Sequence, residues 1–111
     1  AHKLCKMTFV EQHKAITFVI RHFVFFSAQE GQLETVLEGL KILEEIPHAD
    51  LVEVRLNEKL DQLSNEIDVV VYAEFSSDDA LSAFKAHPLY QESIERVRPN
   101  RELRFVADTR P

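Results

Sequence analysis

Three side chains in this sequence join proton-transfer chemistry to apolar surroundings: His22, His87 and Tyr90. His22 lies within ITFVIRHFVFF, residues 16–26, among β-branched and aromatic neighbours. An imidazole in such a setting can serve as a neutral acid/base or as a hydrogen-bond donor to a bound molecule. The same position also suits a half-buried histidine whose only task is to satisfy the fold. His87 precedes Pro88 at an expected helix break, where its ring either meets a ligand or caps helix carbonyls left unpaired there. Tyr90, three residues on, brings a hydroxyl near the same mouth. These three are the catalytic candidates, and with Val24, Phe26 and Phe84 they form the candidate ligand-binding set.

Other chemistries find little support. One cysteine, Cys5, excludes an internal disulfide framework and any multi-thiolate metal site. His22 and His87 lack the close ligand spacing of zinc sites, so no metal is expected. There is no glycine-rich phosphate loop, nucleophile elbow or HExxH motif, and no cofactor is expected. Cys5 has only Lys3 and Lys6 nearby to activate a thiolate. A net charge of -6 argues against nucleic acid, because the Lys and Arg residues are scattered among acids. The run Arg96, Arg98, Arg101, Arg104 reads more readily as a solvated, acid-balanced rim than as an anion site.

No stretch reaches the roughly 18 apolar residues of a membrane span. The opening AHKLCKM does not continue as a signal peptide, since Glu11, Gln12, His13 and Lys14 interrupt it. Residues 1–15 are set aside as an N-terminal extension or expression remnant, leaving 16–111 as one domain. The single cysteine suits a reducing, cytoplasmic compartment.

The elements that must position the candidates follow from periodicity. In residues 16–26 both alternating sets are apolar: Ile16, Phe18, Ile20, Val24 and Phe26 on one face, Val19, Phe23 and Phe25 on the other. After a polar break, Leu33, Val36, Leu37, Leu40, Leu43 and Ile46 recur at helical spacing to about Glu45, and Pro47 stops the helix. LVEVRL, residues 51–56, reads as a second strand, and 57–66 as a polar turn. The third strand, residues 67–75, sets Ile67, Val69, Val71, Ala73 and Phe75 against Asp68, Val70, Tyr72 and Glu74. Asp68 is expected at a strand edge and Tyr72 in core or interface. Ser76 with Asp79 resembles a capping box opening a short helix to Ala86. A second short helix follows from Leu89 to Val97, then a turn at 98–100. ELRFVA, residues 102–107, gives a last strand with Leu103, Phe105 and Ala107 on one side.

The order is βαββαβ with the second helix split: an α+β, ferredoxin-like four-stranded antiparallel sheet with helices on one face. Three helical segments shield only that face. Phe23, Phe25, Val70 and Tyr72 would leave the other with more apolar area than soluble monomers tolerate. Packing the same face of a second copy against it, about a two-fold axis, makes an eight-stranded barrel between protomers. The alternative is a loop, residues 1–15 or 57–66, folded over that face.

Beyond this physical reading, the sequence resembles the stress-responsive A/B barrel (Dabb) domains of the dimeric α/β barrel superfamily. The matching residues are Arg21-His22 with the apolar run after it, Gly39-Leu40, Ile46-Pro47, Asn57, Asp68, Phe75, His87-Pro88 and Val106-Ala107-Asp108. Their order holds from about Ile20 to Thr109. The resemblance implies the same fold and the shared barrel. This sequence has Arg55 where the family often has Gly, Tyr90 where it has the second His of His-Pro-x-His, and Thr109 where it has an aromatic. It has Phe84 where the family commonly has Tyr. A plant polyketide cyclase of the family works through that Tyr and that second His, and Phe84 lacks the ionisable hydroxyl. The function expected is a homodimer binding a small apolar or aromatic ligand between sheet and helices. The alternative is a cofactorless monooxygenase or polyketide-cyclase-like enzyme, and a third reading is a subunit of a larger ring or cage.

Overall fold

The structure, a computed structural model, describes residues 19–63 and 66–111. The extension expected over 1–15, and Ile16 and Phe18 of the first strand, lie outside the described residues. Four strands, β1 (Ile20–Ala28), β2 (Leu51–Leu56), β3 (Val69–Phe75) and β4 (Arg101–Thr109), form one sheet in the order β2-β3-β1-β4. Every neighbouring pair is antiparallel. Helices α1 (Leu33–Lys41), α2 (Asp78–Ala86) and α3 (Pro88–Val97) complete the ferredoxin-like α+β fold expected from the sequence.

Register assigns each strand residue to a face, because directly opposed side chains share one. His22 stands opposite Ala73 and Asp108, Val24 opposite Val71 and Val106, and Phe26 opposite Val69 and Arg104. β2 adds Val52 and Val54 to this inner face. The helices cover it over β1 and β3, while on β4 Val106 stays 47% exposed. Val36, Leu40, Leu43, Phe84 and Val97 pack there with Ile20, Val24, Phe26, Val71 and Phe75 in one core.

Local chemistry sets the helix ends. The first helix is α-helical only to Lys41 and finishes as a 3-10 turn over Ile42–Glu45, short of Pro47. The expected cap at Ser76 belongs instead to Ser77, whose Oγ accepts from the Ala80 amide at 3.0 Å. His87 stands between α2 and α3 and caps the second of these: its Nδ1 accepts from the Leu89 amide, with Pro88 at the first helical position. The cap therefore serves amides ahead of it, not the carbonyls behind. α1 and α3 approach closely at Gly39, where an added Cβ would lie 2.8 Å from Val97 Cγ2 and 3.2 Å from Arg96 Cβ. Beside it the buried Ser93 hydroxyl donates to the Gly39 carbonyl at 2.8 Å.

β1 runs on past Phe26, and β4 extends to Arg101 and Thr109, beyond the expected 102–107. Between Ser27–Leu103 and Ala28–Arg101 the β1–β4 register slips by one, a bulge that leaves Glu102 unopposed. Ser27 Oγ accepts from the Leu103 amide there at 3.0 Å. Asp68 pins the same end of β1. Its carboxylate accepts from the Ala28 amide at 2.9 Å and from Lys59 Nζ at 2.7 Å. Partial burial pushes the Asp68 carboxyl up, but these hydrogen bonds and the Lys59 charge together hold it below its ordinary value.

The outer face carries Phe23, Phe25, Val70, Tyr72, Leu103 and Phe105, and among the described residues no helix lies over it. Phe105 is 56% exposed. Within the described part of the 57–66 loop, Leu60 and Leu63 are 88% and 89% exposed, so these leucines do not cover the sheet.

Candidate functional site

A cleft opens between the inner face of the sheet and the helices. β1 supplies His22, Val24 and Phe26 to its wall, β3 supplies Val71 and Ala73, α1 and the turn after it supply Leu40 and Leu43, and α2 supplies Phe84. From α3 come Tyr90, Ser93, Ile94 and Val97, and from β4 Arg101 and Arg104. Counted with the space open to solvent at its mouth, the cleft has a volume of about 490 Å³. It is a slot, suited to a slender or flat molecule.

The strand period explains which candidates meet. His22, Val24 and Phe26 alternate along β1 and share the inner face. Phe84 reaches the slot from the buried side of α2, and Tyr90 from the first turn of α3. Their rings form an edge-to-face series: His22 to Phe75 at 6.1 Å, Phe75 to Phe84 at 5.1 Å, Phe84 to Tyr90 at 5.8 Å. His87 is not brought to this wall. Its ring is engaged in capping α3, with the His48 ring 6.2 Å away.

His22 is 3% exposed, and it is paired. Its Nδ1 donates to Asp108 Oδ1 at 2.5 Å across the β1–β4 register. The Asp108 side chain is 43% exposed, so the carboxylate keeps contact with solvent while the imidazole is enclosed. A carboxylate at Nδ1 orients the ring and favours a proton on that nitrogen, turning Nε2 away from Asp108. No buried side-chain nitrogen or oxygen among the described residues lacks a hydrogen-bond partner. An oriented histidine with a carboxylate behind it is the arrangement of a general base.

Sequence reasoning missed Asp108 as a site residue; it stood only in the closing Val106-Ala107-Asp108 match. Its role depends on the β1–β4 register, which no local pattern encodes. Tyr72 lies on the outer face, half-buried against Phe23 at 5.1 Å, and its hydroxyl donates to Glu74 at 2.6 Å. That hydrogen bond, with burial and the Glu74 charge, pushes the phenol pKa up. No group of three or more His, Cys, Asp or Glu among the described residues is placed to hold a metal ion. No helix among them is long and apolar enough to cross a membrane.

The sequence matches the description of the Stress responsive A/B Barrel Domain over residues 20–111. The chain belongs to the stress-responsive A/B barrel (Dabb) family. Solved structures with the same fold include a Dabb family protein from Mesorhizobium loti, 23% identical, with a TM-score of 0.65 over 84% of this chain and 96% of that one. A dimeric ferredoxin-like protein of unknown function from Jannaschia has a TM-score of 0.74 at 19% identity, covering 84% of this chain and 99% of that one. A protein from Chloroflexus aurantiacus, provisionally described as an antibiotic biosynthesis monooxygenase, has a TM-score of 0.70 at 17% identity over 84% and 92%. No curated protein matches the sequence. Within the Dabb frame, the two positions that depart from the cyclase pattern, Phe84 and Tyr90, are ring neighbours in the slot wall. The hydroxyl sits on Tyr90, and Phe84 supplies only apolar surface.

Proposed function

We propose that this Dabb domain works as a homodimer that binds a small apolar or aromatic molecule in the slot between sheet and helices, beside His22. The observation that carries the reading is His22, hydrogen-bonded to Asp108, in the wall of a cleft lined mostly by apolar side chains. The homodimer follows from the uncovered outer face, and the dimeric state described for the Jannaschia protein supports it. Phe23, Phe25 and Phe105 are the surface that a second copy would bury, closing the eight-stranded barrel. A cytoplasmic setting accords with the single cysteine.

The test is amide chemical-shift mapping with a panel of small aliphatic and aromatic compounds. Binding compounds are expected to move His22, Val24, Phe84 and Val97. A panel that perturbs none of these, or moves only the outer face, would overturn the reading.

The oriented His22 favours one further possibility, a cofactorless enzyme in which Nε2 removes a proton from an acidic C–H or O–H of the bound molecule. Asp108 then stabilises the imidazolium that forms, and Tyr90 offers a hydroxyl to the developing oxyanion. A 1,3-diketone tests this without knowledge of the natural substrate. Its acidic C–H should exchange with solvent deuterium about 100-fold faster on the wild type than on His22→Gln, within the range general-base catalysis supplies. Equal rates would remove His22 from any such chemistry.

A further inference from the structure

Arg101 and Arg104 are three residues apart on one strand, a spacing that in a regular strand sends side chains to opposite faces. Here both line the slot. The bulge at Ser27–Ala28 is the cause. Arg104 stands opposite Phe26, and the extra residue Glu102 lets Arg101 stand opposite Ala28, again on the inner face. Bulges re-aim side chains in this way next to binding sites. The Ser27 hydroxyl, buried and bonded to the Leu103 amide, holds the distortion in place.

These two guanidiniums and His22 are the ionisable side chains in the wall besides the Tyr90 phenol, and no carboxylate lines it. Of the four arginines in the run, Arg96 lies 3.9 Å from Glu92. No ion pair is recorded among the described residues for Arg98, Arg101 or Arg104. Arg96, Arg98 and Arg104 are exposed, as a solvated rim requires, while Arg101 is half-buried at the slot. Burial, followed by the like charges of Arg104 and Arg98, depresses the Arg101 pKa, as expected of cations gathered without a counter-ion. The slot is thus graded along β1, from an enclosed base at His22, through Val24 and Phe26, to a cationic mouth about 13 Å further on.

We propose that the slot takes a small amphipathic carboxylate, its apolar body along Val24, Phe26 and Phe84 and its carboxylate at Arg101 and Arg104. This rests on the ligand-binding reading above and names the class of ligand. A guanidinium fork matches a carboxylate with two parallel hydrogen bonds. In a chain of net charge -6, a locally positive mouth also offsets the general repulsion of anions.

The experiment compares octanoate with octanamide, equal in shape and different in charge, by calorimetry at low ionic strength on the full chain. Octanoate is expected to bind wild type at least tenfold more tightly. The double variant R101Q/R104Q should lose that preference while keeping its affinity for octanamide, which shows that the slot itself is intact. Equal affinity of wild type for the acid and the amide would overturn the carboxylate proposal and leave the apolar-ligand reading standing. Binding of neither would overturn both. The wild-type comparison decides the matter whether or not the variant folds.

Discussion

The two faces of β1 are made from the same residue types and meet different fates. On the inner side Ile20, Val24 and Phe26 are 3–4% exposed under the helices, and the one polar side chain among them, His22, has a carboxylate partner. On the outer side Phe23 and Phe25 are only half-buried, beside a Phe105 that is 56% exposed. The inner face is finished by its own chain. Among the described residues, nothing of the chain covers the outer face in the same way. A single chain can thus complete a ligand slot and still depend on assembly, because the helices of this fold reach just one side of the sheet.

The sharpest way to break the inner half is Phe75→Ala. Phe75 is fully buried and supports the rings of both His22 and Phe84. Its truncation should cost about 3–5 kcal/mol in urea unfolding, the range for buried phenylalanines. A smaller cost would mean the slot already contains slack around that ring. Gly39→Ala comes next. The added methyl meets Val97 Cγ2 and Arg96 Cβ, so α1 and α3 must separate, at about 1–3 kcal/mol. A neutral result would show that this crossing yields easily.

Asp68→Asn probes the β1 end that carries the bulge. At neutral pH it should cost about 1 kcal/mol, the scale of one charged hydrogen bond near the surface. The sign of the pH effect follows from the lowered pKa. Asp68 contributes stability above its ordinary value of 3.8, and that contribution is lost as pH falls through its depressed folded value. The variant's stability curve should therefore be flatter than wild type below about pH 4. Parallel curves would contradict the assignment.

The smallest effect on the fold belongs to the outer face. Phe105→Glu should change intrinsic stability by only about 0.5 kcal/mol, as surface substitutions do. Its effect on assembly should be large, converting dimer to monomer in gel filtration. A variant that stays dimeric would place the interface elsewhere.

The sequence made the strands legible because their pattern is local. β3 alternates buried and half-buried along its whole length, as Val69, Val71, Ala73 and Phe75 indicated. The candidate slot was legible where that same period applies, at His22, Val24 and Phe26, and where a helix presents one apolar side, at Phe84 and Tyr90. It was not legible where two distant strands must be aligned. Asp108 reaches His22, and Arg101 joins Arg104, only through the β1–β4 register and its bulge, which depend on pairing across about 80 residues of chain. The change of cap from Ser76 to Ser77 is a smaller case. Two adjacent serines each offer a hydroxyl, and the path of the chain leaving β3 decides between them.

The central claim is that a second copy of the chain completes the outer face. Static light scattering of the wild-type protein at micromolar concentration tests it directly. The expected mass is twice the 12.9 kDa of the chain. A stable 12.9 kDa particle with Phe105 open to solvent would contradict it.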